Sequence, residues 1–233
     1  MTEFKFPMSI RERIMGIIYI VFHSAVIPVG LAYLSVYVLQ PAGVAFSDAQ
    51  LNTIVYFIGF VFCITALFKY LKQSFSDIFD RPAAFLICIA AGFFACIALN
   101  IAVNLILMLA GVYNLTNPNS ETVNILAGED RGAIIAAAVL FAPIIEECMF
   151  RGALFGTIRL KNRFLAYIVT IFAFSMYHLW QYFIFDYNPG LWLYLLQYVP
   201  HTLVLCCVYE KSGSIWCPIF LHGIINAVAL LAE

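Results

Sequence analysis

The sequence predicts an all-α polytopic membrane protein, with about seven transmembrane helices around a polar intramembrane cavity. Three observations carry that prediction. Hydrophobic residues fill 64% of the 233 positions and charged residues only 11%, with a mean hydropathy of +0.96. A soluble domain is about half apolar and about a quarter charged, so this chain has too little charge to cover a water-facing surface. The apolar runs are also continuous over the roughly 20 residues that cross a bilayer as a helix, and lack the short alternation of a transmembrane barrel. Finally, most of the few charges gather between the runs.

Hydropathy places the spans near residues 14–37, 51–71, 83–112, 132–158, 164–180, 191–209 and 215–232. A polar N-terminus ending in Arg11-Glu12-Arg13 precedes the first run, which is too long for a signal-peptide core and reads as a retained span. The third and fourth runs are long enough to tilt or break. Lys5, Arg11 and Arg13 lie before span one, and Lys69, Lys72 and Arg81 between spans two and three. Arg159, Lys161 and Arg163 lie between spans four and five, and Lys211 between six and seven. The alternate connections hold Asp48, then Glu121, Glu129, Asp130 and Arg131, then Asp186, then Glu233. The excess of bases on one side predicts a cytoplasmic N-terminus and an outside C-terminus. Asn114-Leu115-Thr116 is a glycosylation sequon on the predicted outer side. The chain reads as one transmembrane domain over 1–233, with its chemistry in the C-terminal half.

Several classes drop out. A net charge of −1 offers no basic field for nucleic acid. The seven cysteines lie in apolar runs with no metal-binding spacing, so they read as buried thiols. Gly152 and Gly156 form a GxxxG that suits either internal packing or a dimer face, which leaves the oligomeric state open.

The polar groups inside the spans carry the functional argument. A charged side chain within the bilayer costs roughly 2.5–3.5 kcal/mol even on the lenient insertion scale, yet Glu146, Glu147 and Arg151 all fall in span four. Glu147 and Arg151 are four apart and can pair on one helix face. Glu146 lies about 100° further round the helix, away from that pair. A desolvated carboxylate with no partner on its own helix is a candidate general base. His178 closes Phe174-Ser175-Met176-Tyr177-His178 in span five, and His222 and Asn226 share a face in span seven. His23 reads as a packing residue, and His201, after Pro200, could line a cavity. Counting about 1.5 Å per residue from the nearest base, Glu146, His178 and His222 lie at about 20, 22 and 16 Å depth. That is close enough for one shared site.

Glu146-Glu147-Cys148-Met149-Phe150-Arg151 resembles the EExxxR motif of the CPBP family, the CAAX-protease and bacteriocin-processing group also called Abi. Phe174 to His178 resembles its FxxxH motif, and His222 to Asn226 its HxxxN motif, in family order on three spans. The resemblance covers 132–232, the expected catalytic core. It implies a glutamic intramembrane endopeptidase. In that scheme Glu146 activates water, His178 positions it, and His222 and Asn226 stabilise the oxyanion. Glu147 and Arg151 hold the site, with Phe174 supporting them.

Two His and a Glu are also ligand types for Zn²⁺ with a water in a fourth position. No HExxH is present and the resemblance implies a metal-free site, so the expectation is no cofactor, with zinc as the alternative. Expected partners are a peptide or lipidated-protein substrate and membrane lipid, and the family suggests a prokaryotic cell membrane. A non-enzymatic membrane scaffold, or a transporter using the same polar cluster, are the competing functions.

Overall fold

The computed structural model describes residues 8–113 and 115–232, so Lys5, Glu233 and the sequon's Asn114 lie outside the described residues. Among them the chain is helical, with no strand. The helices are α1 (Ile10–Leu39), α2 (Asp48–Ala66), α3 (Phe68–Asp80), α4 (Pro82–Leu109) and α5 (Pro118–Glu129). They continue as α6 (Arg131–Arg159), α7 (Arg163–Phe185), α8 (Leu191–Ser212) and α9 (Trp216–Ala232). α1, α2, α4, α6, α7 and α8 are long and apolar enough to cross a membrane. α9, the seventh predicted span, is a shorter apolar helix of 17 residues, at the lower end of the roughly 17–25 that can cross. The protein is an all-α, multi-pass integral membrane protein. Large apolar side chains such as Leu86, Phe94 and Phe172 stand on its outside, as the surface of a helix bundle in lipid requires.

Local sequence sets the helix starts. Ser9 with Glu12, and Ser47 with Gln50, form reciprocal caps at α1 and α2. Asn117, Asp130 and Asn162 accept backbone N–H bonds at the starts of α5, α6 and α7. α8 ends on Gly213, whose φ of 71° needs a residue without a Cβ.

The predicted span 51–71 is corrected. α2 stops at Ala66, and Leu67 turns the chain into α3. α3 buries Tyr70, Leu71 and Ser74 while Lys69, Lys72 and Gln73 stay exposed, the pattern of an amphipathic helix against the bundle. Phe68, Tyr70 and Leu71 prolong the apolar run in sequence, which hides this break. Glu12 of α1 accepts the Tyr70 N–H at 3.2 Å, so a carboxylate from α1 holds the first turn of α3.

α6 is the centre of the bundle: 61% of its apolar window is buried, against 11% for α4. A Cβ on Gly152 would lie 3.1 Å from the Met8 side chain and 3.2 Å from Tyr70, so this glycine serves packing within the chain. The helix directions give the bundle two ends. Arg159, Arg163 and Lys211 mark the basic end, where Glu210 pairs with Arg159 and Arg163 and accepts from the Tyr167 hydroxyl at 2.7 Å. At the other end α5 bridges α4 and α6. The start of α2 reaches it through Ala49 N–H on Glu129, and α7 through Tyr182 and Thr122 at 2.7 Å.

Candidate active site

α6 is not a regular helix. Two of its stretches, Ala136–Phe141 and Glu147–Phe155, have wide turns in which N–H groups reach five residues back; such turns recur at functional sites. The first has a cause in the sequence. Ala142 donates to the Ala137 carbonyl, so the next donor in that register is residue 143, a proline with no N–H. The Ala138 carbonyl therefore needs another donor, and Asn226 Nδ2 of α9 supplies it at 2.8 Å. The helices are also close here: a Cβ on Gly223 would sit 2.9 Å from the Val139 carbonyl oxygen.

This docking brings α9 and α7 to the paired glutamates of α6. Glu147 Oε1 accepts from Arg151 Nη1 at 2.9 Å and lies 2.8 Å from His222 Nδ1. Glu147 and Arg151 pair as their spacing predicts, and Glu147 also ties α6 to α9, which spacing does not reveal. Both charged side chains are fully buried. The Arg151 guanidinium stacks on the Phe174 ring at 4.6 Å. Phe174 also touches the rings of His178, His201 and His222, at 4.6, 5.7 and 6.3 Å, so one aromatic spacer sets the three imidazoles.

Glu146 is buried, and its Oε2 has no hydrogen-bond partner among the described residues. It faces His178 Nε2 at 3.7 Å and His222 Nε2 at 3.9 Å. The other nitrogens of these rings fix the tautomers. His178 Nδ1 lies 2.9 Å from the Phe174 carbonyl, which can only accept, so Nδ1 carries the hydrogen. His222 Nδ1 likewise donates to Glu147 when that carboxylate is ionised against Arg151. In the neutral rings both Nε2 atoms then present lone pairs. Three acceptor atoms from three helices thus point at one another with no donor between them.

The structure brings Glu146, Glu147, Arg151, Phe174, His178 and His222 into one contiguous site. Asn226 lines the same cavity, but its amide is engaged with Ala138. Residues outside the motifs complete the walls. His201 of α8 lies edge-on to His222 at 4.5 Å, and Tyr198 stacks on His178 at 5.0 Å. Tyr56 of α2 also lines the cavity. His23, read from sequence as a packing residue, bonds the Tyr177 hydroxyl at 2.7 Å. Position after Pro200 hinted at His201; nothing local marks Tyr56 or Tyr198. Among the described residues no group of three or more His, Cys, Asp or Glu side chains is arranged to hold a metal ion.

Asn226→Ala leaves the Ala138 carbonyl without its donor, and an unsatisfied buried polar group costs about 1–3 kcal/mol. The variant is expected to melt lower in detergent. Unchanged melting with lost turnover would assign Asn226 to the reaction and not to docking.

An all-helical membrane bundle enclosing a buried carboxylate between two imidazoles defines a class, that of polytopic membrane proteins with a buried Glu–His cluster. The family comparison narrows it. Residues 130–228 match the family described as type II CAAX prenyl endopeptidase Rce1-like. The match covers less than half of the chain and supports the resemblance of the three motifs to the CPBP or Abi family. A "UPF0177 protein in abiGi 5'region" from Lactococcus lactis subsp. cremoris is 32% identical over 87 residues, which cover 37% of this chain and 32% of that relative. The chain thus spans about a third of that protein. No solved structure matches it.

Proposed function

We propose that this protein is an intramembrane endopeptidase in which Glu146 activates a water molecule against a peptide bond. The observation that carries the reading is the convergence of Glu146 Oε2, His178 Nε2 and His222 Nε2 as three acceptors. A water brings two hydrogens and suits such a cluster. A gap of 3.7–3.9 Å between polar atoms is also one that a bridging water can serve. The activity in the matching family's name, and the burial of this cluster in a membrane bundle, support peptide hydrolysis over a scaffold or transporter role.

Glu146 and the two imidazoles carry the proton steps. Water oxygen attacks the carbonyl carbon while Glu146 takes its proton and His178 orients its second hydrogen. The oxyanion needs a donor. His222 Nε2, an acceptor while the ring is neutral, becomes that donor by taking up one proton from solvent through the cavity as substrate binds, with Nδ1–H held on Glu147. The C–N bond then breaks, and Glu146 returns the proton to the leaving amine. Asn226 serves this scheme by docking α9, and Phe174 by spacing the rings. The reading places a catalytic core at 132–232 within one transmembrane domain, metal-free, in a prokaryotic cell membrane with the N-terminus cytoplasmic. The substrate is a peptide or lipidated protein.

The test is single-turnover cleavage of a peptide library by protein purified in detergent, in oxygen-18 water with a chelator present. One heavy oxygen is expected in the new carboxyl terminus. Label appearing first in Glu146 would mean that the side chain attacks directly, and loss of activity with the chelator would restore the zinc alternative. No product, with either solute flux into liposomes or retained partner binding, would overturn the peptidase reading.

A further inference from the structure

The approach to the site has its own chemistry. The catalytic groups lie in a cavity of about 550 Å³, within the roughly 300–1,000 Å³ of ligand sites. Its other lining residues come from the α5 end of the bundle: the start of α2, the end of α4, α5 itself, the start of α6 with the apolar Ile134, Ala137 and Ala138, the start of α8 and the end of α9. Six of them are asparagines: Asn52, Asn100, Asn104, Asn117, Asn119 and Asn124. Some of this amide capacity is used internally. Asn117 bonds Gln197 at 3.0 Å and accepts from Tyr198, and Asn100 donates to the Cys96 carbonyl. Among the described residues, nothing bonds the side-chain amides of Asn52, Asn104 or Asn124.

A carboxamide carries both a donor and an acceptor, so a wall of them matches the alternating N–H and C=O groups of an extended polypeptide. The same wall is poor in counter-ions. Among the described residues no lysine, arginine or aspartate lines the cavity, and its one carboxylate is Glu146. Arg131 lines an adjoining smaller recess, which shares Asn124, Ile134 and Leu230 with the cavity, and donates to the Leu230 carbonyl. A charged side chain or terminus held in this approach would be desolvated without a partner.

Resting on the endopeptidase reading, we infer that the substrate is an uncharged, polar stretch of polypeptide cut well away from its ends, entering extended from the α5 end opposite the basic collar. A substrate trimmed of a C-terminal tripeptide is a poor fit. At roughly 3.3 Å per residue its free carboxylate would lie about 10 Å past the bond, where no cation lines the cavity among the described residues.

Two measurements separate this inference from the reading beneath it. With wild-type protein in detergent, an Asn/Ser/Gly-rich peptide blocked at both ends is expected to be cut with at least ten-fold higher kcat/KM than two variants of it. One carries Lys or Asp within three residues of the bond. The other is farnesylated and ends in a free carboxylate three residues beyond it. With Glu146→Gln protein, fluorescence anisotropy reads binding of the same peptides without turnover. There the blocked neutral peptide is expected to bind at least ten-fold tighter, and Asn52→Leu with Asn104→Leu to raise its Kd at least five-fold. Equal handling of neutral and charged peptides, preference for the farnesylated one, or no binding at all would overturn the inference. Selective binding without cleavage by the wild type would overturn the peptidase reading while leaving the binding preference standing.

Discussion

Glu146→Gln is expected to lower peptide cleavage by about 10²–10⁴-fold, the range for losing a general base, in a protein that still inserts and folds. The amide keeps the size of the side chain but cannot take a proton from water. Folding should not suffer, because an NH₂ group among two imidazole lone pairs donates where the carboxylate oxygen could only accept. Melting in detergent is therefore expected to stay level or rise by about 1 kcal/mol in stability, one net hydrogen bond. Glu146→Asp probes position: it keeps the acid but withdraws it by one methylene. Misplacement by about 1 Å can cost about 10² in rate, so this variant should also be nearly inactive. Cleavage by Glu146→Gln at the wild-type rate, on the same peptide, would remove Glu146 from the chemistry.

What the sequence reveals of this site divides along physical lines. Continuous apolar runs report helices in lipid because only a helix satisfies its own backbone there, and the described helices follow those runs closely. The Glu147–Arg151 pair is legible because four-residue spacing is intrinsic to a helix. The meeting of Glu147 with His222 is not, since those residues are 75 apart and nothing local links them. Breaks and wide turns are harder still. Leu67 is an ordinary apolar residue at a turn held by Glu12 from another helix, and α5 is too short and polar to register against hydropathy. Pro143 is a local cause of the wide turn in α6 that hydropathy does not register. Its consequence, a carbonyl calling for Asn226, appears only once α9 is docked. The asparagine-lined approach is the least legible part. Each of its residues is unremarked in its own run, and their meaning comes from which helix ends share one end of the bundle.

Arg151→Met is expected to carry the largest stability loss in the chain, about 3–5 kcal/mol, the cost of removing one partner from a buried ion pair. Arg151 is among the largest fully buried side chains, with none of it exposed. Methionine replaces part of its volume and its contact with Phe174 but none of its charge. Glu147 would then keep only His222 as a neighbour and stay desolvated, on the helix at the centre of the bundle. Adding Glu147→Gln removes the uncompensated charge and should recover part of the loss. The coupling between the two changes, expected at about 0.5–3 kcal/mol for groups in direct contact, is the quantity to extract from detergent melting of both singles and the double. Activity should separate from stability here. The double variant no longer offers His222 a carboxylate at Nδ1, so it should fold better than Arg151→Met yet cleave no faster. If Arg151→Met melts with the wild type, the ion pair is incidental to folding, and the reason for keeping two charges in the centre of a membrane bundle must lie in the reaction itself.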